Sequence, residues 1–185
     1  MDLKSVAKKF FKPAQKVVLT SSVIEAVKVD GRYVVRAATK DEWEDAMALA
    51  WRSFKKFVAP DYSDMGVKEF SNFISDNGIY KMFLIGEYKL WVAELDGEIV
   101  GMISVRAKRH ISLLFVDDKH QRMGIGRDLI NTAADYMKAN GETFATVNAS
   151  PYGVKFYHAV GFKDTRSEYV DSGMRVTPMR LDFKK

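Results

Sequence analysis

A glycine-containing segment stands between an apolar run and a helical pattern, and its composition suits a phosphate-binding loop. The segment follows residues 110–116 and reads Gln121-Arg122-Met123-Gly124-Ile125-Gly126-Arg127. Glycines lack the Cβ atom that keeps a backbone away from a ligand. The first N–H groups of a helix have no partner within the helix and carry a partial positive charge. The segment therefore predicts a pyrophosphate site, with two arginines as additional cations.

The loop departs from the two commonest nucleotide-binding motifs. No Gly-Lys-Ser/Thr follows it, so it is not a Walker loop, and Leu129 occupies the third glycine position of the dinucleotide fingerprint. A Gly-x-Gly at the start of a helix does not identify a ligand by itself. Only a second motif in the same chain can indicate which phosphate-containing ligand the loop binds.

That second motif lies one helix and one strand further along the chain. Asn148 ends an apolar strand, Ser150 and Pro151 open a helix, and the helix closes with Tyr157-His158-Ala159-Val160-Gly161-Phe162. The two segments together resemble the GCN5-related N-acetyltransferase (GNAT) superfamily. There Gln/Arg-x-x-Gly-x-Gly/Ala follows the fourth strand and Tyr-x-x-x-Gly-Phe closes the fourth helix. The resemblance spans residues 33–183.

The resemblance implies a cosubstrate, acetyl-CoA, and a place for it. Members of this family hold the pantetheine arm between two splayed parallel strands, which here are residues 110–116 and 143–148. Tyr157 would protonate the departing thiolate, a task that suits a phenol because it is a donor at neutral pH. The implied cofactor-binding residues are Phe115, Val116, Gln121, Arg122, Met123, Gly124, Ile125, Gly126, Arg127 and Asn148. The alternatives are a strand-end cap for Asn148 and a core tyrosine for Tyr157.

The reaction also needs a base, because an ammonium must lose a proton before its nitrogen can attack a thioester. His110 is the candidate, since imidazole titrates near neutrality. Histone acetyltransferases resemble this chain but carry a glutamate there, and arylalkylamine acetyltransferases place histidines at positions matching His110 and Ser112. A structural strand histidine is the alternative. His120 and His158 are predicted to lie on the surface.

The amino-acid composition limits the class of protein and the kinds of metal or nucleic-acid site that can be expected. The chain has 185 residues, is 47% hydrophobic, carries a formal net charge of +5 and has no Cys. This predicts a soluble, cytoplasmic domain without thiolate metal sites, and without a ligand cluster for any other metal. No stretch is long enough to span a membrane, and no DNA- or RNA-binding signature accompanies the charge. Whether the protein forms a homodimer is left open.

The elements that must position these residues can also be read from the sequence. Residues 1–30 are predicted to form a separate extension, with a basic helix before Pro13 and a strand at 17–29. A capping box at Thr39 and Glu42 opens a helix that Pro60 ends. A second helix is predicted at 67–75, closed by Asn77-Gly78, and Asp96-Gly97 joins two strands of a hairpin. Pro178 indicates that the last strand, 174–183, lies at an edge or carries a bulge.

This order predicts a mixed α/β fold over 31–185, a GNAT domain with one mixed, mostly antiparallel sheet covered by helices on both faces. The sequence leaves the acceptor open among a polyamine, an amino-sugar antibiotic, another small amine and a protein amino group. Its side of the cleft is predicted to include Trp51, Phe54, Phe57, Tyr62 and residues 168–173. A CoA-binding sensor without turnover is the alternative function, and nucleic-acid binding ranks third.

Overall fold

The computed structural model describes residues 28–29 and 33–184. The predicted basic helix before Pro13, most of the predicted strand at 17–29 and the turn at Asp30-Gly31 lie outside the described residues. The division into an extension of residues 1–30 and a domain of residues 31–185 therefore stays a prediction.

Nine strands and five α-helices make up the described chain. The strands are β1 (Lys28–Val29), β2 (Val34–Ala37), β3 (Lys89–Leu95), β4 (Glu98–Arg106), β5 (His110–Val116), β6 (Phe144–Ala149), β7 (Lys163–Asp164), β8 (Tyr169–Asp171) and β9 (Met174–Asp182). The helices are α1 (Trp43–Phe57), α2 (Asp64–Ile74), α3 (Asn77–Leu84), α4 (Ile125–Ala139) and α5 (Pro151–Ala159).

The strands form one mixed sheet in the order β1-β2-β3-β4-β5-β6-β9-β7, and β8 pairs with β9. Among the described strands, β5 and β6 form the one parallel pair, and every other pairing is antiparallel. The predicted mixed, mostly antiparallel sheet is confirmed.

Helices cover both faces of this sheet, and the alternation of side chains along the strands produces two cores. On one face, Ile125 and Leu129 of α4 pack against a cluster that includes Ile103. On the other face, Phe54 of α1 packs in a cluster that includes Met102. Adjacent residues of β4 thus enter opposite cores, which explains why the central strands are apolar on both sides.

Two predicted helix starts agree with the structure. The backbone N–H of Thr39 donates to Oε2 of Glu42 at 2.7 Å, and a short 3₁₀ turn there leads into α1. Ser150 caps α5 by accepting from the N–H of Gly153. The second helix was predicted too short at its start, because Ser63 caps it and it begins at Asp64.

Helix α3 was missed, because Asn77-Gly78 was interpreted as the end of a helix. Asp76 instead caps a new helix, and its Oδ1 accepts from the N–H groups of Gly78 and Ile79. An Asn-Gly pair is typical of a helix end, whereas an aspartate directly before it is a good helix cap, so the pattern Asp76-Asn77-Gly78 alone does not distinguish the two.

The interpretation of Pro178 as an edge or bulge residue also needs correction. Strand β9 lies inside the sheet, between β6 on one side and β7 and β8 on the other. Pro178 is opposite Asn148 of β6, and it falls between the residues that pair with β8 (174–176) and those that pair with β7 (179–180). The missing N–H of proline therefore interrupts no ladder on that side.

Candidate active site

The site begins where β5 and β6 separate. These strands pair only through His110 with Thr146 and Ile111 with Val147. Beyond those two pairs, residues 112–116 of β5 continue along β4 alone. The divergence coincides with a β-bulge, since Ser104 and Val105 of β4 face Leu113 and Ile111, leaving Ser112 as the extra residue. A bulge bends its strand, and here it opens a gap edged by unpaired backbone groups.

A cavity of about 990 Å³ occupies this gap and extends to both faces of the sheet. It brings together nearly all the predicted site residues. The predicted residues that line it are His110, Phe115, Val116, Gln121, Arg122, Gly124, Ile125, Gly126, Arg127, Asn148 and Tyr157. Met123 is the exception, and it packs instead against the core beneath α4.

The loop between β5 and α4 directs backbone N–H groups at this cavity. Gly124 is the residue before the helix, and its carbonyl accepts from the N–H groups of Arg127 and Asp128 at 3.0 and 3.1 Å. The N–H groups of Ile125 and Gly126 precede any acceptor within the helix. Both residues line the cavity, so these donors and the helix dipole favour an anion there.

The structure explains the presence of glycine at positions 124 and 126 in different ways. Gly124 has a φ of +92°, a left-handed conformation that other residues adopt only with strain. Gly126 has an ordinary helical conformation, but a Cβ there would lie 3.2 Å from the ring of Phe156. Close approach of a ligand was the reason predicted from the sequence. Backbone conformation at Gly124 and packing at Gly126 thus favour glycine even without a ligand.

Positively charged side chains lie beside the loop where it borders the cavity. Arg122 and Arg127 are exposed, line the cavity and form no ion pair within residues 33–184. His120 also lines the cavity, with 23% of its side chain exposed and Nδ1 3.4 Å from Asp117 Oδ1. It was predicted to be a surface residue, whereas the structure shows it partly buried in the cavity wall. His158 does lie on the surface, 2.7 Å from Asp164.

Tyr157 lies in the cavity wall and is buried, with 7% of the residue exposed. Its ring makes edge contacts with the rings of Phe156 and Phe162, at centroid distances of 5.5 and 5.2 Å. Burial raises the pKa of the phenol well above its usual value. The hydroxyl has no hydrogen-bond partner within residues 33–184. The side chain is thus a protonated donor whose hydroxyl is free to bond a ligand.

His110 lies on the same cavity, at the point where the two strands part. Its Nδ1 is 2.9 Å from Oγ1 of Thr146. Burial, with a contribution from the nearby guanidinium of Arg106, lowers the pKa of His110 to about 4. The imidazole is therefore neutral at physiological pH, and not half protonated near neutrality as its ordinary pKa suggested.

An NMR titration tests this assignment. Desolvation and a neighbouring cation both disfavour the charged imidazole, so His110 should gain a proton only below about pH 5, a unit above the shifted pKa of about 4. Its ring resonance can be assigned from its disappearance in His110→Gln. A midpoint near 6.5 would show that the ring is solvated and that this environment is not the one present in solution.

The acceptor side of the cavity is walled by α1, α2 and the hairpin formed by β8 and β9. Phe54, Phe57 and Tyr62 line it, as predicted, whereas Trp51 does not. From residues 168–173, Asp171 alone lines it. The hairpin is held against α2, because the N–H of Ser63 donates to the carbonyl of Gly173 at 3.0 Å.

Sequence reasoning missed many further residues of the cavity, and four of them bear on its chemistry or shape. They are Phe70 and Phe73 of α2, Arg106 of β4 and Tyr152 of α5. Arg106 is the opposite partner of His110 in the β4–β5 ladder, so correct pairing of that hairpin could have found it. Tyr152 reaches the cavity through tertiary contacts that have no sequence signal.

Residues 58–183, more than half of the chain, match the family model of the acetyltransferase (GNAT) domain. The chain belongs to this family. The membership confirms the resemblance, the class of N-acetyltransferase and acetyl-CoA as donor. The part of the chain described by the structure contains no helix long and apolar enough to cross a membrane. It also contains no cluster of His, Asp and Glu that could hold a metal ion.

Similar proteins agree with this assignment. An uncharacterised N-acetyltransferase of Methanocaldococcus jannaschii is 25% identical over 177 residues, which cover 88% of this chain and 72% of that relative. The chain covers only about half of the length of the N-acetyltransferases that it matches in Homo sapiens, Rattus norvegicus and Xenopus tropicalis.

Solved structures share the fold of this GNAT domain. A GCN5-related N-acetyltransferase from Rhodopseudomonas palustris superimposes with a TM-score of 0.70 at 20% identity, over 88% of this chain and all (100%) of that one. The PaiA N-acetyltransferase of Thermoplasma acidophilum, in complex with coenzyme A, gives 0.69 at 18% identity, over 82% and 99%. At these identities the likeness establishes the fold alone.

Proposed function

We propose that this GNAT protein transfers the acetyl group of acetyl-CoA directly to a primary amine, with both substrates bound in the cavity between β5 and β6. The observation that carries the proposal is the separation of these strands after two residue pairs. The gap is continuous with the N-terminal end of α4 on one side and with an aromatic wall on the other.

The residues present fit the donor. The pyrophosphate would lie at the N–H groups of Ile125 and Gly126, with Arg122 and Arg127 supplying positive charge. The pantetheine amides would pair with the unpaired backbone of β5 near Phe115 and Val116, and with the side chain of Asn148, which is exposed at the end of β6. The cavity of about 990 Å³ leaves room for an acceptor as well.

The chemistry then divides between two side chains. Acetyl-CoA supplies a thioester, whose carbonyl carbon takes the nitrogen lone pair and whose sulfur leaves with the electrons of the C–S bond. Tyr157 would donate its phenolic proton to that sulfur, and its raised pKa keeps the proton in place until it is needed. This sequence contains no Cys, so no thiol of the protein can carry the acetyl group.

His110 would take the proton that the amine loses. A pKa of about 4 makes the imidazole available in its neutral form, but also a weak base. It is too weak to deprotonate a free alkylammonium efficiently. We therefore place its role after the C–N bond has begun to form, when the nitrogen has become far more acidic, or through a bound water.

The acceptor wall favours an amine with an apolar body. Phe54, Phe70 and Tyr62 contribute aromatic rings, with Phe54 stacked on Phe70 at a centroid distance of 3.8 Å. The carboxylates of Glu69 and Asp171 line the same side and would attract an ammonium group. A small amine and the amino group of a protein both satisfy these requirements.

Release of free thiol from acetyl-CoA in the presence of an amine panel tests the proposal. We expect release that depends on the amine and is matched, mole for mole, by N-acetylated product. CoA binding by calorimetry with no thiol release from any amine would indicate a sensor that lacks turnover. Absence of CoA binding would overturn the assignment of the cavity itself.

A further inference from the structure

Tyr152, the second residue of α5, contacts two parts of the cavity wall that belong to different elements of the fold. Its ring stacks on the ring of Phe57 at the end of α1, with centroids 4.9 Å apart and planes inclined by 19°. Its hydroxyl donates to Oε1 of Gln121 at 3.0 Å. Phe57 belongs to the acceptor wall, whereas Gln121 opens the proposed phosphate loop.

Tyr152 makes these two ordered contacts although about half of the residue is exposed to solvent. Tyr152 is 48% exposed, and it is one of the few large apolar side chains of the described chain that reach so far into solvent. Burial of apolar surface stabilises a half-exposed ring only slightly, so the contacts with Phe57 and Gln121 explain its position better. Both of its partners line the cavity, as Tyr152 itself does.

A second link joins the same two elements. Lys56, the neighbour of Phe57, forms an ion pair with Asp118, which lies in the 3₁₀ turn before Gln121. The hydrogen bond from Lys56 lowers the pKa of the Asp118 carboxyl. Exposed pairs of this kind are weak, so the contacts of Tyr152 are the firmer of the two links.

The end of α1 also shapes the acceptor wall. Phe54 and Val58 lie within one turn of Phe57 and line the cavity. The 3₁₀ turn at Ala59–Asp61 follows and is held by the N–H groups of Asp61 and Tyr62, which donate to Val58 and Ala59. A shift of Phe57 would therefore move the wall that faces the acceptor.

We infer that Tyr152 is a positioning residue that couples the phosphate loop to the acceptor wall, so that occupancy of the loop by CoA orders residues 54–62. The inference rests on the proposed function, because it requires CoA to bind at the loop. The two contacts act in series, from Gln121 to Tyr152 to Phe57, so loss of either one breaks this link and leaves the weaker Lys56–Asp118 ion pair. Coupling of this kind is reciprocal, so an acceptor held by an ordered wall would in turn favour CoA.

Amide hydrogen exchange with CoA as the probe tests this coupling without knowledge of the acceptor. In the wild-type protein, CoA should slow exchange at residues 54–62. In Tyr152→Phe the ring stack remains but the bond to Gln121 is lost, and the slowing should diminish by roughly two- to tenfold, the size expected for a single side-chain contact. Because the links act in series, Tyr152→Leu should have no greater effect than Tyr152→Phe.

A matched control removes the same hydroxyl from a tyrosine elsewhere. Tyr169 of β8 lies outside the cavity, where the guanidinium of Arg166 stacks on its ring at 3.8 Å. Tyr169→Phe should leave the effect of CoA on residues 54–62 unchanged. Thermal unfolding without ligand should be nearly the same for both phenylalanine variants, since neither ring is removed.

The outcomes separate the two proposals. If wild-type protein fails to bind CoA, the proposed function is wrong and the coupling with it. If CoA binds but residues 54–62 exchange at the same rate with and without it, the coupling alone is overturned. The coupling is also overturned if CoA slows these residues equally in wild type and Tyr152→Phe.

Discussion

Replacement of Tyr157 by Phe should lower kcat by roughly 10²–10⁴-fold, the range typical of a lost acid catalyst. The phenol would donate to the sulfur mainly as the C–S bond breaks, so the lost interaction belongs to the transition state. The ring and its edge contacts with Phe156 and Phe162 remain in Tyr157→Phe. Affinity for acetyl-CoA and thermal stability should therefore change little, and single-turnover kinetics would locate the defect in the chemical step.

A second tyrosine provides the control. Tyr136 of α4 packs against Trp91 at a centroid distance of 5.2 Å and does not line the cavity. Tyr136→Phe removes a hydroxyl of the same kind and should retain normal turnover. If Tyr157→Phe also turned over normally, Tyr157 would be a packing residue and the acid would have to be another group or water.

Replacement of Gly124 by Ala should weaken CoA binding by roughly 10- to 100-fold, as expected for disturbance of a hydrogen bond to a charged phosphate. Gly124 has a φ of +92°, which an alanine adopts only with strain. Relief of that strain would turn the first N–H groups of α4 away from the cavity. Calorimetry with CoA measures the affinity, and urea unfolding measures the cost to the fold.

The other end of the same helix offers a matched variant. Gly141 follows the last turn of α4 with a φ of +82°, and a Cβ there would meet nothing within 4 Å. Gly141→Ala should lose a similar stability, about 1–2 kcal/mol, while binding CoA normally. Equal CoA affinities for the two variants would contradict the proposal that the loop at Gly124 binds the phosphates of CoA.

The sequence was sufficient for those parts of the fold that depend on local signals. The capping box at Thr39, the hairpin at Asp96-Gly97 and the cap at Ser150 each satisfy backbone groups within a few residues, so their effects can be read from spacing. The same holds for the two motifs, because a helix start and the strand before it fix where Gly124 and Tyr157 lie relative to the sheet.

Features that depend on distant contacts could not be read in this way. The interior position of Pro178 follows from how β9 divides its pairing between neighbouring strands, which no local pattern encodes. The role of Gly126 depends on the ring of Phe156, which lies thirty positions away in the chain. Such requirements arise only once the sheet has assembled.

Within the candidate site, the environment of His110 is the property that the sequence predicted least well. Its residue type suggested a base that titrates near neutrality. Burial beside Arg106 lowers its pKa to about 4, because both influences disfavour a second positive charge. The arrangement of the strands was predictable, but the degree of desolvation at one position on them was not.

Rapid-quench mass spectrometry of the intact protein and of the amine during a single turnover tests direct transfer most sharply. The account predicts that N-acetylated amine forms at the same rate as free CoA while the mass of the protein stays constant. A protein that gained the mass of one acetyl group before product formed would show transfer through a protein side chain, and it would contradict direct attack in the cavity between β5 and β6.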